Sequence, residues 1–171
     1  METWDAIRSR RNVRSFSSRT IDDSDLDRIL EAGRRTPSSK NEQRWDFVVV
    51  TDKDRLGELA KVWQGARHVP GSAATIALVA PISEEPRVRQ SIVYDLGQLT
   101  MSIMLAAADL GIGSCHSSVQ DQALAREILG FPENHYCPWL ISLGYPQDGD
   151  LRPIEKPARR PLSEVVHRDT W

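Results

Sequence analysis

"PRVRQSIVYDLGQLTMSIMLAAADLG", residues 86–111, is the longest helical pattern in the chain, and the rest of the fold has to be arranged around it. Ile92, Leu96, Leu99, Ile103, Ala107 and Leu110 recur at steps of three and four, which puts them on one face of an α-helix. The second half is apolar nearly all round, so this helix belongs at the centre of the fold rather than on its surface. Gly111 supplies the stop. Residues 96–113 are the most apolar stretch, but they carry Gln98 and Asp109 and are short for a membrane span. A soluble protein with no membrane partner is expected.

Working outward, "DFVVVT" (46–51) and "TIALVAPI" (75–82) read as strands buried on both faces. "GSCHSSV" (113–119) and "CPWLISLGY" (137–145) read as two more. Helices are expected over 3–11, with Thr3 as cap and Trp4, Ile7 and Arg11 on one side, and over 21–38. The second has Asp22 or Asp23 as cap, Leu26, Ile29 and Leu30 as buried stripe, and Pro37 as stop. Shorter helices follow over 52–63 and over 121–130, the last ended by Gly130. A polar loop fills 36–45, and residues 146–171 hold four prolines and little that would pack alone. Helices and strands mix without the strict alternation of a parallel sheet, so the expected class is α+β, one domain over 1–171.

Composition narrows the function classes. The 171 residues are 40% apolar and 27% charged with net charge −2, ordinary values for a globular chain. Two cysteines, Cys115 and Cys137, are too few for a disulfide framework, and no metal-ligand spacing occurs. The opening "METWDAIRSRR" lacks the apolar core of a secretory signal, so a cytoplasmic location is expected. "LGIGSCH" has His116 where a Rossmann fingerprint needs its third glycine, and neither a P-loop nor a G-x-S-x-G elbow is present. Cys115 and His116 are neighbours on a strand and must point to opposite faces, so they cannot form a thiol–imidazole pair.

What remains is anion binding. "RSRRNVRSF", residues 8–16, places Arg8, Arg10, Arg11 and Arg14 in nine positions of a slightly acidic chain. Three readings are open: a nucleic-acid patch, a solvated turn, or a seat for one multiply charged small anion. A second basic segment, "KPARRPLSEVV" (156–166), lies at the far end. If the two converged, they could hold a phosphate through bidentate, charge-assisted bonds. No nucleic-acid-binding motif or overall basic balance supports the first reading.

"AIRSRRNVRSF" (6–16), "TPSSKNEQRWDFVVV" (36–50), "YDLGQLTMSIMLAAADLGIGSC" (94–115), "WLISLGYP" (139–146) and "RRPLSEVVHRDTW" (159–171) together resemble, in order and spacing, the nitroreductase family of flavoproteins. The resemblance implies a small, mostly antiparallel sheet surrounded by helices, a long central helix, and a homodimer with FMN at the subunit interface. The extension 146–171 would embrace the partner. It implies that Arg10, Arg11 and Asn12, with Arg14 close by, hold the flavin phosphate, and that Arg159 or Arg160, Arg160 preferred, completes the seat. Pro37, Ser38 and Ser39 would lie against the flavin ring of the other subunit, with Asn41 and Gln43 in the same loop. Gly113 and Ser114 would pass near the ring, glycine letting backbone approach it. The implied activity is ping-pong transfer of two electrons from NADH or NADPH to a nitroaromatic, quinone or similar small acceptor, without a catalytic side chain. Compact relatives that hold the deazaflavin F420, or hold flavin without turnover, are the alternative. Three features depart from the family pattern: Arg44 within Gln43-Arg44-Trp45, the short segment 62–74, and His116 where an aromatic or apolar residue is common.

Overall fold

The strand Ala74–Pro81 (β2) is buried along nearly its whole length, and the other elements are laid on and beside it in a computed structural model that describes all residues 1–171. It follows, in chain order, the helices Thr3–Ser9 (α1) and Asp23–Arg34 (α2), the strand Asp46–Val50 (β1) and the helix Lys53–Leu59 (α3). After it come the helix Pro86–Asp109 (α4), the strand Gly113–Ser118 (β3), the helix Gln122–Leu129 (α5) and the strand His135–Gly144 (β4). The sheet order is β1-β2-β4-β3, and each neighbouring pair is antiparallel. The α+β class and the small antiparallel sheet are as the sequence implied.

Side chains alternate across the sheet, and each face has its own core. Ile76, Leu78, Ile141 and Leu143 meet Leu96, Leu99 and Ile103 of α4 and Ile29 of α2. Ala77, Val79, Cys137 and Leu140 meet Leu56 and Leu59 of α3 and Ala125 of α5. A strand covered on both sides has no polar face, which is why β2 reads as one continuous apolar run. By length and apolarity α4 would suffice to cross a bilayer, yet Leu96, Leu99, Ile103 and Ala107 are buried against the sheet and α2.

Local chemistry sets the helix ends. The Asp52 carboxylate accepts the Arg55 N–H at 2.9 Å, and that of Asp121 accepts the Leu124 N–H at 2.9 Å. Gly111 and Gly130, both at φ +73°, follow α4 and α5 in the left-handed conformation. α1 differs from expectation. It ends at Ser9 rather than Arg11, and Glu2, not Thr3, occupies the N-cap position. Ala6 and Ser9 are its buried residues, whereas Trp4 and Ile7 are exposed, because α1 lies on α4 through its small side chains.

Beyond α1 the chain runs along the outer edge of β3. The Val13 N–H donates to Ser114 O at 2.9 Å and the Ser17 N–H to Tyr145 O at 2.8 Å. Val13 and Phe16 fill the spaces over Gly113 and Gly144, where a β-carbon would come within 2.8 Å of each. Leu151 closes this cluster, and residues 152–171 are exposed. Gly113→Ala is expected to lower the unfolding free energy by about 1–3 kcal/mol, the range for overpacking a filled site. Val13→Ala in the same chain should recover part of that loss. Urea denaturation of the single and double variants reads both effects, and full stability in Gly113→Ala would mean that Val13 simply moves aside.

Candidate active site

Because the helix stops at Ser9, the four arginines of residues 8–14 separate. Arg8 is neutralised, with Asp5 at 2.7 Å and Glu155 at 3.3 Å. Arg10, Arg11 and Arg14 form no ion pair with any carboxylate of the chain. Asn12 is exposed, and its backbone bridges to Ser114. The Arg10 Nε is buried and lacks a hydrogen-bond partner. Arg10 borders two cavities. One, of about 390 Å³, is shared with Trp4, Met101, Ile154 and Arg159. The other, of about 430 Å³, is shared with Thr100, Met101, Met104, His116 and Trp139.

The two ends of the chain therefore meet: Ile154 N–H donates to Arg8 O at 3.1 Å, and Arg159 reaches the Arg10 cavity. Arg160, the preferred candidate from the sequence, does not line it. Its guanidinium turns back onto the tight turn that follows, donating to Glu164 O at 2.7 Å and facing the Glu164 carboxylate at 3.4 Å.

Pro37, Ser38 and Ser39 line a third cavity, about 570 Å³, with Tyr94, Asp95 and Gln98 of α4. The loop is bent by three non-glycine residues in the left-handed region, Lys40, Asn41 and Gln43. Asn41 is exposed, and its carbonyl accepts the Gln43 side-chain amide at 3.1 Å. The extra charge of Arg44 is paired with Glu42. Within one chain this loop and the arginines line separate cavities on different flanks of α4.

Gly113 and Ser114 are both buried under residues 12–13, so the close approach that glycine permits is to Val13 of the same chain. The part of β3 open to a cavity is His116, whose ring meets Trp139 edge-on at 6.0 Å. Trp139, Met101, Met104, Thr100 and Gly97 were missed in the sequence reading. Gly97 carried a signal, since glycine inside a helix costs about 1 kcal/mol relative to alanine. Here a β-carbon at 97 would meet nothing within 4 Å, and the missing side chain leaves the cavity open.

Electrostatics separate the thiols from the imidazoles. Burial raises Cys115 above its ordinary value and pushes Cys137 up to about 12, so both stay protonated and unreactive. Burial, then the charges of Arg10 and Arg14, hold His116 below the usual histidine range. His68, buried within the segment that joins α3 to β2, is lowered mainly by burial and then by Arg14.

The nitroreductase family model matches residues 7–67 and 58–145, most of the chain, from within α1 to the end of β4. The chain belongs to the nitroreductase family. An Archaeoglobus fulgidus protein with a provisional NADH dehydrogenase/NAD(P)H nitroreductase assignment is 34% identical, with 96% of each chain covered. The NADPH:FMN oxidoreductase from Vibrio harveyi, solved with NAD+, superposes with a TM-score of 0.86 at 26% identity, covering 97% of this chain and 76% of that one. An FMN-dependent nitroreductase from Clostridium difficile gives 0.85 at 24% identity over 97% and 98% of the two chains, a likeness of fold.

In this family member the two lowered histidines make stability pH-dependent. Unfolded, both titrate near the ordinary 6.5; folded, both bind the proton at lower pH. As pH falls through that ordinary value the unfolded chain takes up protons first, so stability is lost from there downward until the folded groups also titrate. Urea midpoints are expected to fall between about pH 7 and about pH 5, and less steeply in His68→Gln. An unchanged slope in that variant would mean that His68 titrates normally.

Proposed function

We propose that the protein is an FMN-dependent NAD(P)H oxidoreductase of nitroreductase type, acting as a cytoplasmic homodimer whose chain forms one domain. The observation that carries this reading is unpaired positive charge beside an apolar cavity. Arg10 joins the cavity bordered by Arg159 to the one bordered by Met104, His116 and Trp139. A buried donor without a partner is costly, and an anion at Arg10 removes that cost through a charge-assisted bond. A ligand suited to both ends has a phosphate at one and a planar, largely apolar ring system at the other. FMN has this build, so the residues present fit it.

When bound, the flavin supplies the redox chemistry, taking a hydride from NADH or NADPH and passing two electrons to a small acceptor such as a nitroaromatic or a quinone. The protein's part is to bind and orient. Arg10, Arg11, Arg14 and Arg159 provide the charge for the phosphate. His116 and Trp139 border the space for the ring and exclude water from one side of it. Pro37, Ser38, Ser39 and Asn41 lie apart from this seat in their own chain, so they serve the seat of a second copy. Trp4, Val93, Tyr94 and Met101, all exposed, supply apolar surface for that copy to cover.

The purified protein should be yellow, release a pigment with the mass of FMN, and bleach when NADPH is added without oxygen. A colourless protein that refuses FMN would overturn the reading, and a pigment with the mass of F420 would move it to deazaflavin. Arg10→Ala is expected to weaken FMN binding by about 1.5–3 kcal/mol, the range for a hydrogen bond to a charged group. Arg159→Ala should weaken it more than Arg160→Ala, read by quenching of FMN fluorescence.

A further inference from the structure

We infer that Asp95 is a positioning residue: its buried carboxylate clamps the loop 37–43 to α4 and so fixes the wall that this chain presents to the cofactor seat of a second copy. The inference rests on the reading that FMN lies between two chains. Asp95 occupies the buried stripe of α4, three residues after Ile92, and is only 6% exposed. A carboxylate taken out of water needs compensation, and this one forms no ion pair. Its hydrogen-bond donor is the backbone N–H of Ser39, 3.1 Å from one oxygen and 3.3 Å from the other. That N–H belongs to the first residue of the tight turn Ser39–Asn41.

The loop needs such an anchor. Lys40, Asn41 and Gln43 sit at φ +53°, +57° and +49°, a region that costs a residue with a β-carbon free energy. No side chain between residues 37 and 43 is buried, so apolar packing does not hold the bend. Within the loop, the Ser38 hydroxyl accepts the Gln43 N–H at 3.0 Å, which closes the turn on itself but does not tie it to the body. The link from the turn into the core is Asp95. Tyr94 and Gln98, one helical turn apart, flank it on the wall of the same cavity, so the carboxylate sets where Ser38 and Ser39 stand relative to α4.

The test uses Asp95→Ala, Asp95→Asn and Arg10→Ala. In protein without added FMN, Asp95→Ala should speed hydrogen exchange at the Ser39 amide by about tenfold or more, as expected for losing a charge-assisted bond. FMN should bind about tenfold more weakly. Asp95→Asn keeps one acceptor oxygen without the charge, and should show smaller changes in both readouts. The decisive arm is a mixed dimer of one Asp95→Ala chain and one Arg10→Ala chain. The intact loop of the second then faces the intact seat of the first, and one full-affinity FMN site per dimer is expected.

Unchanged Ser39 exchange in Asp95→Ala would overturn the clamp. A mixed dimer with no full-affinity site would overturn its action across the interface. If Asp95→Ala does not fold, Asp95→Asn decides, and wild-type exchange and affinity in that variant overturn the inference. If the unaltered protein takes no FMN, the proposed function fails, while the exchange measurement still tests the clamp.

Discussion

A 24-residue helix that is apolar on more than one side must be covered on more than one side, and α4 imposes that condition on the molecule. One flank takes the sheet and α2, which bury Leu96, Leu99 and Ile103. Each such side chain contributes about 1.5–3 kcal/mol when removed from water. Another flank takes α1, close enough only because Ala6 and Ser9 are small. Val93, Tyr94 and Met101 remain exposed at 58%, 70% and 40%. A second copy laid on that remainder would cover apolar surface and bring a loop of one chain to the arginines of the other. Cover and cofactor wall would then come from one contact.

Charge follows a different logic. Several arginines are spent on local carboxylates: Arg34 and Arg35 grip Glu31, whose carboxyl their hydrogen bonds hold down at about 2, and Arg44 faces Glu42. In the two basic segments, Arg8 is neutralised by Asp5 and Arg160 by Glu164. What distinguishes Arg10 is its setting, a half-buried guanidinium with no carboxylate partner between two cavities. Positive charge held in a concave, partly dry place acts on an anion more strongly than the same charge on an open face. Burial, and after it this charge with that of Arg14, holds His116 below the usual histidine range at the edge of the apolar space.

Stiffness is shared unequally. The sheet and the buried stripe of α4 pack into one core, whereas the loop 37–43 stands on strained backbone outside it. A wall of that kind holds its shape only through specific tethers, and a tether rooted in α4 gives it the rigidity of the core. Because α4 also borders the Arg10 cavity, both walls are referred to one rigid element.

Much of this was legible in the sequence because it depends on residues a few positions apart. Apolar runs located β1 and β2, steps of three and four located α4, and Gly130 set the end of α5 through a bond closed within one turn. Five motifs in order carried the family. Other features depend on residues that meet only after folding. Gly113 is small because Val13, a hundred positions earlier, lies over it. Arg159 rather than Arg160 lines the Arg10 cavity because Glu164 turns the latter away. Trp4 and Ile7 stay outside because α1 docks through its small residues. Periodicity and capping therefore decided which elements form, since those forces act within a turn or a strand. Which side chains share a cavity was left to tertiary structure, since packing brings together atoms that no local spacing relates.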